Sequence, residues 1–300
     1  MIEARLGERI AVIVASVGRP DELGRWRQHI ARQTLQPVEV IWSVTSAADL
    51  PVDWETIKSL PLKVLRAAKG SAAQRNAALD SLLSGPDIVA FFDDDYVPSH
   101  TCLEGIAKAF QALPEAVGLT GTLIADGINS AGISHESSMD LLASHAKSDP
   151  VSTISFERWD GLYGCNMAMR ADAIGMSRFD ERLPLYGWQE DVDFAMRVAC
   201  GRPLGRTNAF IGVHQGVKRG RTSGRRFGYS QIANPAYLYN KGSMSREKML
   251  KLAMRNFLSN HARMIKPEPW VDRRGRVAGN WLALLDLARG RITPERILDM

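Results

Sequence analysis

Short, wholly apolar runs recur along the first two thirds of the chain. Residues 10–15 read Ile-Ala-Val-Ile-Val-Ala and lead into Ser-Val-Gly-Arg-Pro. This pattern is typical of a strand that is buried on both faces of a sheet and ends in a turn. On the same grounds, strands are predicted over residues 10–15, 38–44, 62–65, 87–92, 116–124, 163–169 and 210–213.

Segments with helical periodicity separate these runs. A helix is predicted from Pro20, because proline favours the first helical turn. Its inner side would carry Leu23, Trp26, Ile30 and Leu35. Further helices are predicted over residues 71–83 and 191–200. Strands that alternate with helices indicate an α/β domain with a mostly parallel, doubly wound sheet that is flanked by helices. Ligands of such a sheet bind beyond the carboxyl ends of the strands.

The pattern changes past residue 215. Residues 218–226 combine Lys and Arg with Gly and Ser, which predicts a basic loop. An amphipathic helix is predicted over residues 245–265, and an apolar segment follows at 279–288. The amphipathic helix is expected to pack on its own domain, with a membrane surface as the alternative. We therefore divide the chain into residues 1–215 and a C-terminal region, residues 216–300.

Composition sets broad limits on this picture. A 300-residue chain with 45% hydrophobic residues can bury a substantial core. It has neither an apolar run of about 18 to 20 residues nor an N-terminal signal pattern, so a cytoplasmic protein is expected. The net charge of +5 favours polyanionic partners but does not separate nucleic acid, anionic lipid and phosphorylated small molecules. Three widely spaced cysteines are predicted to be reduced packing thiols: Cys102, Cys165 and Cys200.

An acidic triplet, Asp93-Asp94-Asp95, directly follows the apolar run Ile88-Val89-Ala90-Phe91-Phe92. Three carboxylates at one strand end repel each other, which raises their pKa values unless a cation intervenes. Mg²⁺ and Mn²⁺ prefer such oxygen ligands and often bridge carboxylates to substrate phosphates. The alternative is a solvated acidic turn or a helix cap. The triplet should lie at the same sheet edge as residues 16–19 and the Lys69-Gly70 turn.

A second acidic site, Glu190-Asp191, lies between the aromatic residues Tyr186 and Trp188 and an apolar helix. Capping of the helix N-terminus is enough to explain two acids in a first turn. The aromatic residues support a second interpretation, in which they form a platform for a sugar while a carboxylate takes a proton from an acceptor hydroxyl.

With both acidic sites in this order, the chain resembles the family-2 inverting glycosyltransferases of the GT-A fold over most of residues 10–215. The family's first turn corresponds to residues 15–19, its Gly-x-x-x-Ala-Arg-Asn element to Gly70–Asn76 with Gln74 in place of Ala, and its small-residue strand to residues 164–170. Its Asp-x-Asp and Glu-Asp motifs correspond to Asp93-Asp94-Asp95 and Glu190-Asp191.

The resemblance implies an enzyme that moves a sugar from a nucleoside-diphosphate donor with the help of Mn²⁺ or Mg²⁺. Asp95 would bind the metal, Asp93 the ribose or the metal, and Asp94 would lie between them. Asp191 would be the general base and Glu190 would orient the acceptor. A metal-binding role is also implied for His214, although a lone His at a strand end is just as often an ordinary packing residue.

Further contacts are implied around this centre. Residues 1–215 would form the donor-binding catalytic domain, and basic residues of the C-terminal region would close over the diphosphate. Those contacting the donor would be Ala15, Ser16, Arg19, Gly70, Arg75, Asp93, Asp94, Arg219, Arg225 and Arg226. Those contacting the acceptor would be Trp188 and Asn166.

One departure concerns the end of the second strand. Many family members have Asp-Asp-Gly-Ser there, with an acid that contacts the nucleobase, whereas this chain has Val44-Thr45-Ser46. UDP is therefore only the default donor nucleotide, and GDP and dTDP stay open. The acceptor would be a glycan or a lipid-linked acceptor at the inner membrane surface, as in polysaccharide or glycolipid biosynthesis.

Two other functions fit the sequence less well. A sugar-1-phosphate nucleotidyltransferase would need a longer, Gly-rich phosphate loop than residues 16–20 provide. A non-enzymatic polyanion-binding protein is supported only by the basic stretch and the pI of about 9.2. Nucleic acid is not expected as a partner, because the sequence lacks interleaved aromatic and basic residues of an RNA-binding type.

Overall fold

A computed structural model describes residues 8–57, 60–148, 153–219 and 222–300. Within these ranges one mixed sheet of nine strands forms the centre of the molecule. The strands are β1 (Ile10–Ala15), β2 (Glu39–Val44), β3 (Leu62–Arg66), β4 (Ile88–Asp93), β5 (Tyr96–Pro98), β6 (Gly118–Asp126), β7 (Glu157–Arg158), β8 (Asn166–Arg170) and β9 (Leu204–His214). The predicted strands are thus present, with ends that shift by up to three residues, except that β9 begins six residues before the strand predicted over residues 210–213.

The strand order is β3-β2-β1-β4-β8-β6-β9-β5, and β7 pairs with β9. The first four strands in this order are parallel to one another. β8 runs antiparallel to both of its neighbours, β4 and β6. The sheet is therefore only mostly parallel. The mostly parallel sheet predicted from the sequence is thus confirmed, and β5, β7 and β8 are its antiparallel strands.

The helices are α1 (Pro20–Ala31), α2 (Ser71–Asp80), α3 (Cys102–Ala112), α4 (His135–Ser148), α5 (Ala171–Ile174), α6 (Glu190–Ala199), α7 (Gly224–Lys241), α8 (Arg246–Met264) and α9 (Arg273–Ala288). As predicted, α1 buries Leu23, Trp26 and Ile30 almost completely against the sheet. Each such side chain contributes about 1.5–3 kcal/mol when buried. Leu35 packs on the same core from beyond the end of the helix.

The cysteine predictions are confirmed in two cases and wrong in the third. Cys102 and Cys165 are buried thiols without a disulfide. Cys200 is exposed, because the chain leaves α6 at this residue through a left-handed conformation with φ of 47°. The apolar surroundings of Cys200 in the sequence belong to the preceding helix, whose buried face has already ended.

The C-terminal region is helical, as predicted, but its first helix begins within residues 218–226, which were predicted to form a basic loop. Residues 220 and 221 of that stretch lie outside the described residues. Gly224 begins α7, and the Ser223 hydroxyl accepts a hydrogen bond from the backbone N–H of Arg226 at 3.4 Å. Arg225 and Arg226 therefore lie in a helical turn, which corrects the loop predicted for them. Helices α7 and α9 approach closely at Gly228 and Gly279. A Cβ at either position would lie 2.1 Å from a backbone oxygen of the other helix. Among the helices of the described ranges, none has the length and hydropathy required to span a bilayer.

The C-terminal helices also contact the sheet-containing part of the molecule. Lys241 at the end of α7 pairs with Asp180 at 2.6 Å and with Asp193 at 2.9 Å. Asn234 donates a hydrogen bond to the backbone oxygen of Trp188 at 2.9 Å. These contacts place α7 beside the loop that precedes α6, which carries the second acidic site.

Candidate functional site

The acidic triplet lies where four strands end or begin at one edge of the sheet. Ala15 at the end of β1 pairs with Asp93 at the end of β4. His214, the last residue of β9, is the register partner of Tyr96, the first residue of β5. Parallel strand ends and the short turn into β5 therefore bring Asp93, Asp95 and His214 together, although His214 lies more than a hundred residues further along the chain.

These three residues form a group that could hold a metal ion, with ligand atoms within 4.8 Å of one another. Nε2 of His214 lies 3.4 Å from Oδ1 of Asp95. The side chains of Asp95 and His214 are 4–5% exposed, whereas that of Asp93 is 36% exposed. The group thus has a rigid inner side and an open side that faces solvent.

His214 is oriented by two further residues that the sequence analysis missed. Its Nδ1 donates to Oδ1 of Asp126 at 2.9 Å, which leaves Nε2 facing Asp95. The Tyr163 hydroxyl donates to the other oxygen of Asp126 at 3.2 Å. Burial lowers the pKa of His214, but the hydrogen bonds with Asp126 and Asp95 outweigh burial and raise this pKa to about 10. A carboxylate behind a histidine is a recurrent support for metal-binding imidazoles.

The donor set suits a divalent cation of the Mn²⁺ or Mg²⁺ type. Two carboxylate oxygens are the hard ligands that these ions prefer, and one imidazole nitrogen is accepted by first-row metals. The cation would take the place of the proton on Nε2 of His214, so binding would release that proton. The exposed side at Asp93 leaves room for phosphate oxygens or water as further ligands.

Arg75 connects this group to the second acidic site. Its guanidinium is 3% exposed and donates to Oε1 of Glu190 at 2.5 Å, to Oδ1 of Asp93 at 3.0 Å and to the Gly164 carbonyl at 2.9 Å. The Ser71 hydroxyl donates to the same Glu190 oxygen at 2.8 Å. Two carboxylates from distant parts of the chain are thus held by one buried cation.

Asp191 is held by backbone amides. The N–H of Gly164 donates to its Oδ2 at 2.8 Å and that of Val192 to its Oδ1 at 2.8 Å. Burial nevertheless raises the pKa of Asp191 above its ordinary value. A Cβ at position 164 would lie 3.0 Å from Oδ2 of Asp191 and 3.2 Å from Nη1 of Arg75. Glycine is therefore required there for the two side chains to approach this closely.

A cavity of about 410 Å³ opens over both acidic sites. Arg75, Asp93, Glu190 and Asp191 all line it. Its other walls are formed by aromatic residues and by one lysine of α8: Trp159, Tyr163, Tyr186, Trp188 and Lys248. Nζ of Lys248 donates to the Asp160 carbonyl at 2.6 Å, so α8 is fixed at the rim. The cavity is large enough for a small ligand and combines flat apolar walls with carboxylates.

Comparison with solved structures identifies the architecture. The chain matches the mannosyltransferase PcManGT from Pyrobaculum calidifontis, solved with GDP-Man and Mn²⁺, at a TM-score of 0.53 and 15% identity, over 94% of this chain and 75% of that one. It matches S. aureus TarS 1-349 in complex with UDP-GlcNAc at a TM-score of 0.58 and 15% identity, over 96% and 82%. The chain has the GT-A glycosyltransferase fold. No protein-family model and no curated protein matches it in sequence.

Within the GT-A fold, Asp94 has a different environment from its two neighbours. Its carboxylate is 6% exposed and accepts hydrogen bonds from the Ser16 hydroxyl and from Nη1 of Arg19, both at 2.7 Å. Burial raises the pKa of Asp94 to about 7. Arg19 also donates to the Val217 carbonyl at 3.1 Å. Asp94 therefore holds the first turn and residue 217 together beneath the site, and its contact with a donor stays a prediction.

Among the predicted contact residues, Arg75, Asp93 and Trp188 line the cavity and the others do not. Three of the others lie elsewhere in the fold. Asn166 is 0% exposed within β8, where its Oδ1 accepts from Thr120 at 2.7 Å, and its contact with an acceptor stays a prediction. Arg219 pairs with Asp21 and Glu22 at 3.2 Å. The backbone of Arg225 packs against α9.

An acid that the sequence analysis missed lies between the first two turns. Asp49 is 4% exposed and accepts hydrogen bonds from the backbone N–H groups of Gly18 at 2.7 Å and of Thr45 and Ser46 at 2.9 Å. Burial raises its pKa, but the hydroxyl of Thr45 and these N–H groups outweigh burial and hold the pKa below its ordinary value. An acid is thus present five residues after the end of β2 at Val44.

The buried Glu190 makes folding stability depend on pH. Burial raises its pKa to about 7, from about 4.5 in an unfolded chain, although Arg75 acts in the opposite direction. The folded chain holds this proton more tightly, so its contribution to stability is complete below about pH 4.5 and is lost as the pH rises to about 7. Glu190→Gln should therefore flatten the decline of unfolding free energy over this window, by up to about 1.4 kcal/mol per pH unit.

Urea unfolding at several pH values between these limits measures the slope. Glu115→Gln, at an exposed position, is the matched control and should keep the wild-type slope. Part of the decline should persist in both variants, because the pKa of Asp94 is also raised to about 7. Equal slopes in Glu190→Gln and the wild type would show that Glu190 does not take up a proton on folding.

Proposed function

We propose that this protein is a metal-dependent, inverting glycosyltransferase that moves a sugar from a nucleoside-diphosphate donor to an acceptor hydroxyl. The observation that carries the proposal is the shared cavity. Asp93 of the candidate metal group and Asp191 both line it, and Arg75 binds Asp93 and Glu190, the neighbour of Asp191. The GT-A fold supports the donor class, since the two neighbours named above were solved with GDP-Man and UDP-GlcNAc.

On the donor side, Asp93, Asp95 and His214 would hold the divalent ion. When bound, that ion supplies positive charge that stabilises the departing diphosphate. Arg75 keeps Asp93 in place by its hydrogen bond of 3.0 Å. Asp126 keeps the Nδ1 proton of His214, so that Nε2 faces the ion site. These residues pre-organise the site, so that little rearrangement is needed as charge develops.

On the acceptor side, Asp191 would take the proton of the attacking hydroxyl. Its oxygens keep one orientation because Gly164 and Val192 donate to them, and its raised pKa strengthens it as a base. Attack from this side, opposite the diphosphate, inverts the configuration of the anomeric carbon. Glu190 would orient the acceptor indirectly, because its buried carboxylate is bound to Arg75 and Ser71.

The acceptor is proposed to be a glycan or a lipid-linked acceptor, as in polysaccharide or glycolipid biosynthesis. Trp159, Tyr186 and Trp188 provide flat faces on which sugar rings pack, and Lys248 adds a cation at the rim. In this proposal residues 1–215 bind the donor, and the C-terminal helices complete the acceptor side through Lys248. UDP remains the default nucleotide, with GDP and dTDP as alternatives.

Thermal unfolding with sugar nucleotides tests this function directly. UDP-, GDP- and dTDP-sugars are each added with Mn²⁺ or with EDTA. A ligand at a hundredfold excess over its Kd stabilises the folded state by about 2.7 kcal/mol, which should raise Tm by roughly 5 °C or more. We expect this rise for one nucleotide class, only with Mn²⁺, and not in Asp95→Asn.

The variant Asp126→Asn serves as a graded control. It keeps all three candidate ligands but weakens the support of His214, so metal affinity should fall by about 10- to 100-fold rather than vanish. If no sugar nucleotide with metal shifts Tm of the wild-type protein, the proposed donor class is wrong. A Tm shift that persists in EDTA and in Asp95→Asn would support the donor class but contradict the metal requirement.

A further inference from the structure

Helix α8 has an apolar side that the molecule leaves uncovered. Its inner side packs on the other C-terminal helices, as predicted from the sequence, through residues such as Met249 and Phe257. On the outer side Leu250, Met254 and Leu258 follow one another at intervals of four residues and are 49%, 57% and 57% exposed. Residues at this spacing share one face of a helix.

Helix α9 extends this uncovered surface. Trp281 is 57% exposed and Leu285 is 44% exposed, again four residues apart. Trp281 packs edge-on against Phe257 of α8 with ring centroids 5.4 Å apart, and its indole N–H donates to Nε2 of His261 at 3.0 Å. The two helices, which are in direct contact, both expose apolar side chains, and we call these together the α8–α9 face: Leu250, Met254, Leu258, Trp281 and Leu285.

Positive charge surrounds the α8–α9 face. Lys251, Arg255 and Lys266 are exposed on α8 and just beyond it, and Arg274 and Arg289 are exposed at the two ends of α9. Residues 216–300 contain 18 Lys and Arg against 6 Asp and Glu, a formal charge of +12. Residues 1–215 contain 20 Lys and Arg against 27 Asp and Glu, a formal charge of −7. The excess positive charge of the chain thus lies entirely in the region that carries this face.

We propose that the α8–α9 face docks on the surface of an anionic lipid bilayer. Exposed Leu, Met and Trp side chains enter the interface between headgroups and acyl chains, while flanking Lys and Arg bind the lipid phosphates. A second copy of this chain fits less well, because a symmetric contact would bring two equally cationic surfaces together. A nucleic acid would satisfy the cations but leave the apolar side chains uncovered.

Docking would also place the cavity near the lipid. Lys248 lines the cavity and Leu250 belongs to the α8–α9 face, and both lie within the first two turns of α8. This step rests on the proposed transferase function: an acceptor anchored in the bilayer would reach Asp191 without leaving the surface. Lipid binding itself does not require that function.

Flotation of the full-length protein with vesicles tests the proposal without sugar nucleotide or metal. We expect binding to vesicles that contain phosphatidylglycerol, little binding to pure phosphatidylcholine, and weaker binding at high salt. Met254→Glu/Leu258→Glu should lower binding to anionic vesicles by about tenfold or more, because two apolar anchors are lost. Lys251→Ala/Arg255→Ala should lower it by about fivefold for each cation removed.

A matched double variant controls for charge. Leu83→Glu/Met176→Glu changes the net charge equally, at apolar residues that are 85% and 89% exposed within residues 1–215, and should bind vesicles like the wild type. The proposal would be overturned if Leu83→Glu/Met176→Glu lost as much vesicle binding as Met254→Glu/Leu258→Glu. Equal binding to neutral and anionic vesicles would also overturn it, as would self-association that Met254→Glu/Leu258→Glu abolishes, since the face would then be a contact between copies.

Two further comparisons separate the possible failures. Lipids with brominated acyl chains quench the fluorescence of tryptophans that lie close to them. This quenching should fall in Trp281→Phe, because the Trp281 ring would lie nearest the acyl chains. Unchanged quenching would contradict the proposed orientation. If the wild-type protein binds vesicles but no sugar nucleotide, the docking proposal stands and the transferase function is rejected. If it binds a sugar nucleotide but no vesicles, the transferase function stands and the docking proposal is rejected.

Discussion

Replacement of Asp191 by asparagine is expected to leave donor binding intact and to lower the rate of sugar transfer by about 10²- to 10⁴-fold. An amide is a far weaker base than a carboxylate, so the acceptor hydroxyl loses its general base. The surroundings should change little, because an amide oxygen can still accept from the N–H groups of Gly164 or Val192. The substitution does not alter the candidate metal ligands Asp93, Asp95 and His214.

The measurement compares two quantities in one preparation. Stabilisation by donor and Mn²⁺ reports binding, and single-turnover transfer to an acceptor reports chemistry. Asp172→Asn is the matched control, since it removes an exposed acid from the first turn of another helix, α5, and should leave both quantities unchanged. Near-normal transfer by Asp191→Asn would refute the assignment of the base. Loss of donor stabilisation would instead show that Asp191 contributes to the donor site.

The strands of the first half were predictable because their side chains are buried on both faces. In β1, β2 and β4 nearly every residue is buried, so the sequence shows an unbroken apolar run. The direction of β8 was not predictable. Its residues 166–169 are equally buried, and an apolar run is the same whether a strand lies parallel or antiparallel to its neighbours. Strand direction depends on the path of the chain between strands, which periodicity does not describe.

The two acidic sites were predictable because adjacent carboxylates after an apolar run are unusual in sequence. Asp126 and Asp49 are single acids without an adjacent carboxylate and carry no such signal. Their importance arises from contacts over long separations, such as the one between Asp126 and His214. The error at Arg225 has a different cause. Gly and Ser near cations suggested a loop, but Ser223 caps a helix and Gly228 allows α9 to pack closely.

Replacement of Arg75 by methionine is expected to have the largest effect on stability. The guanidinium is 3% exposed and is bound to both Glu190 and Asp93, so its removal leaves a buried carboxylate without its counter-charge. Breaking a buried ion pair from one side costs about 3–5 kcal/mol. Urea unfolding at pH 8 should show a loss of this size, and Arg75→Lys should restore only part of it, because one ammonium group does not reproduce the two-pronged contact.

A double variant identifies the origin of that loss. Glu190→Gln removes the carboxylate that Arg75→Met leaves unpaired, so Arg75→Met/Glu190→Gln should unfold at higher urea than Arg75→Met alone. Lower pH should have the same effect, because the pKa of Glu190 is already raised to about 7 by burial and would rise further without Arg75. At pH 5 the loss in Arg75→Met should therefore be smaller than at pH 8. If neither change reduces the loss, Arg75 stabilises the fold by packing against Phe179, whose ring centre lies 5.5 Å from the guanidinium carbon, and not by holding the two acidic sites together.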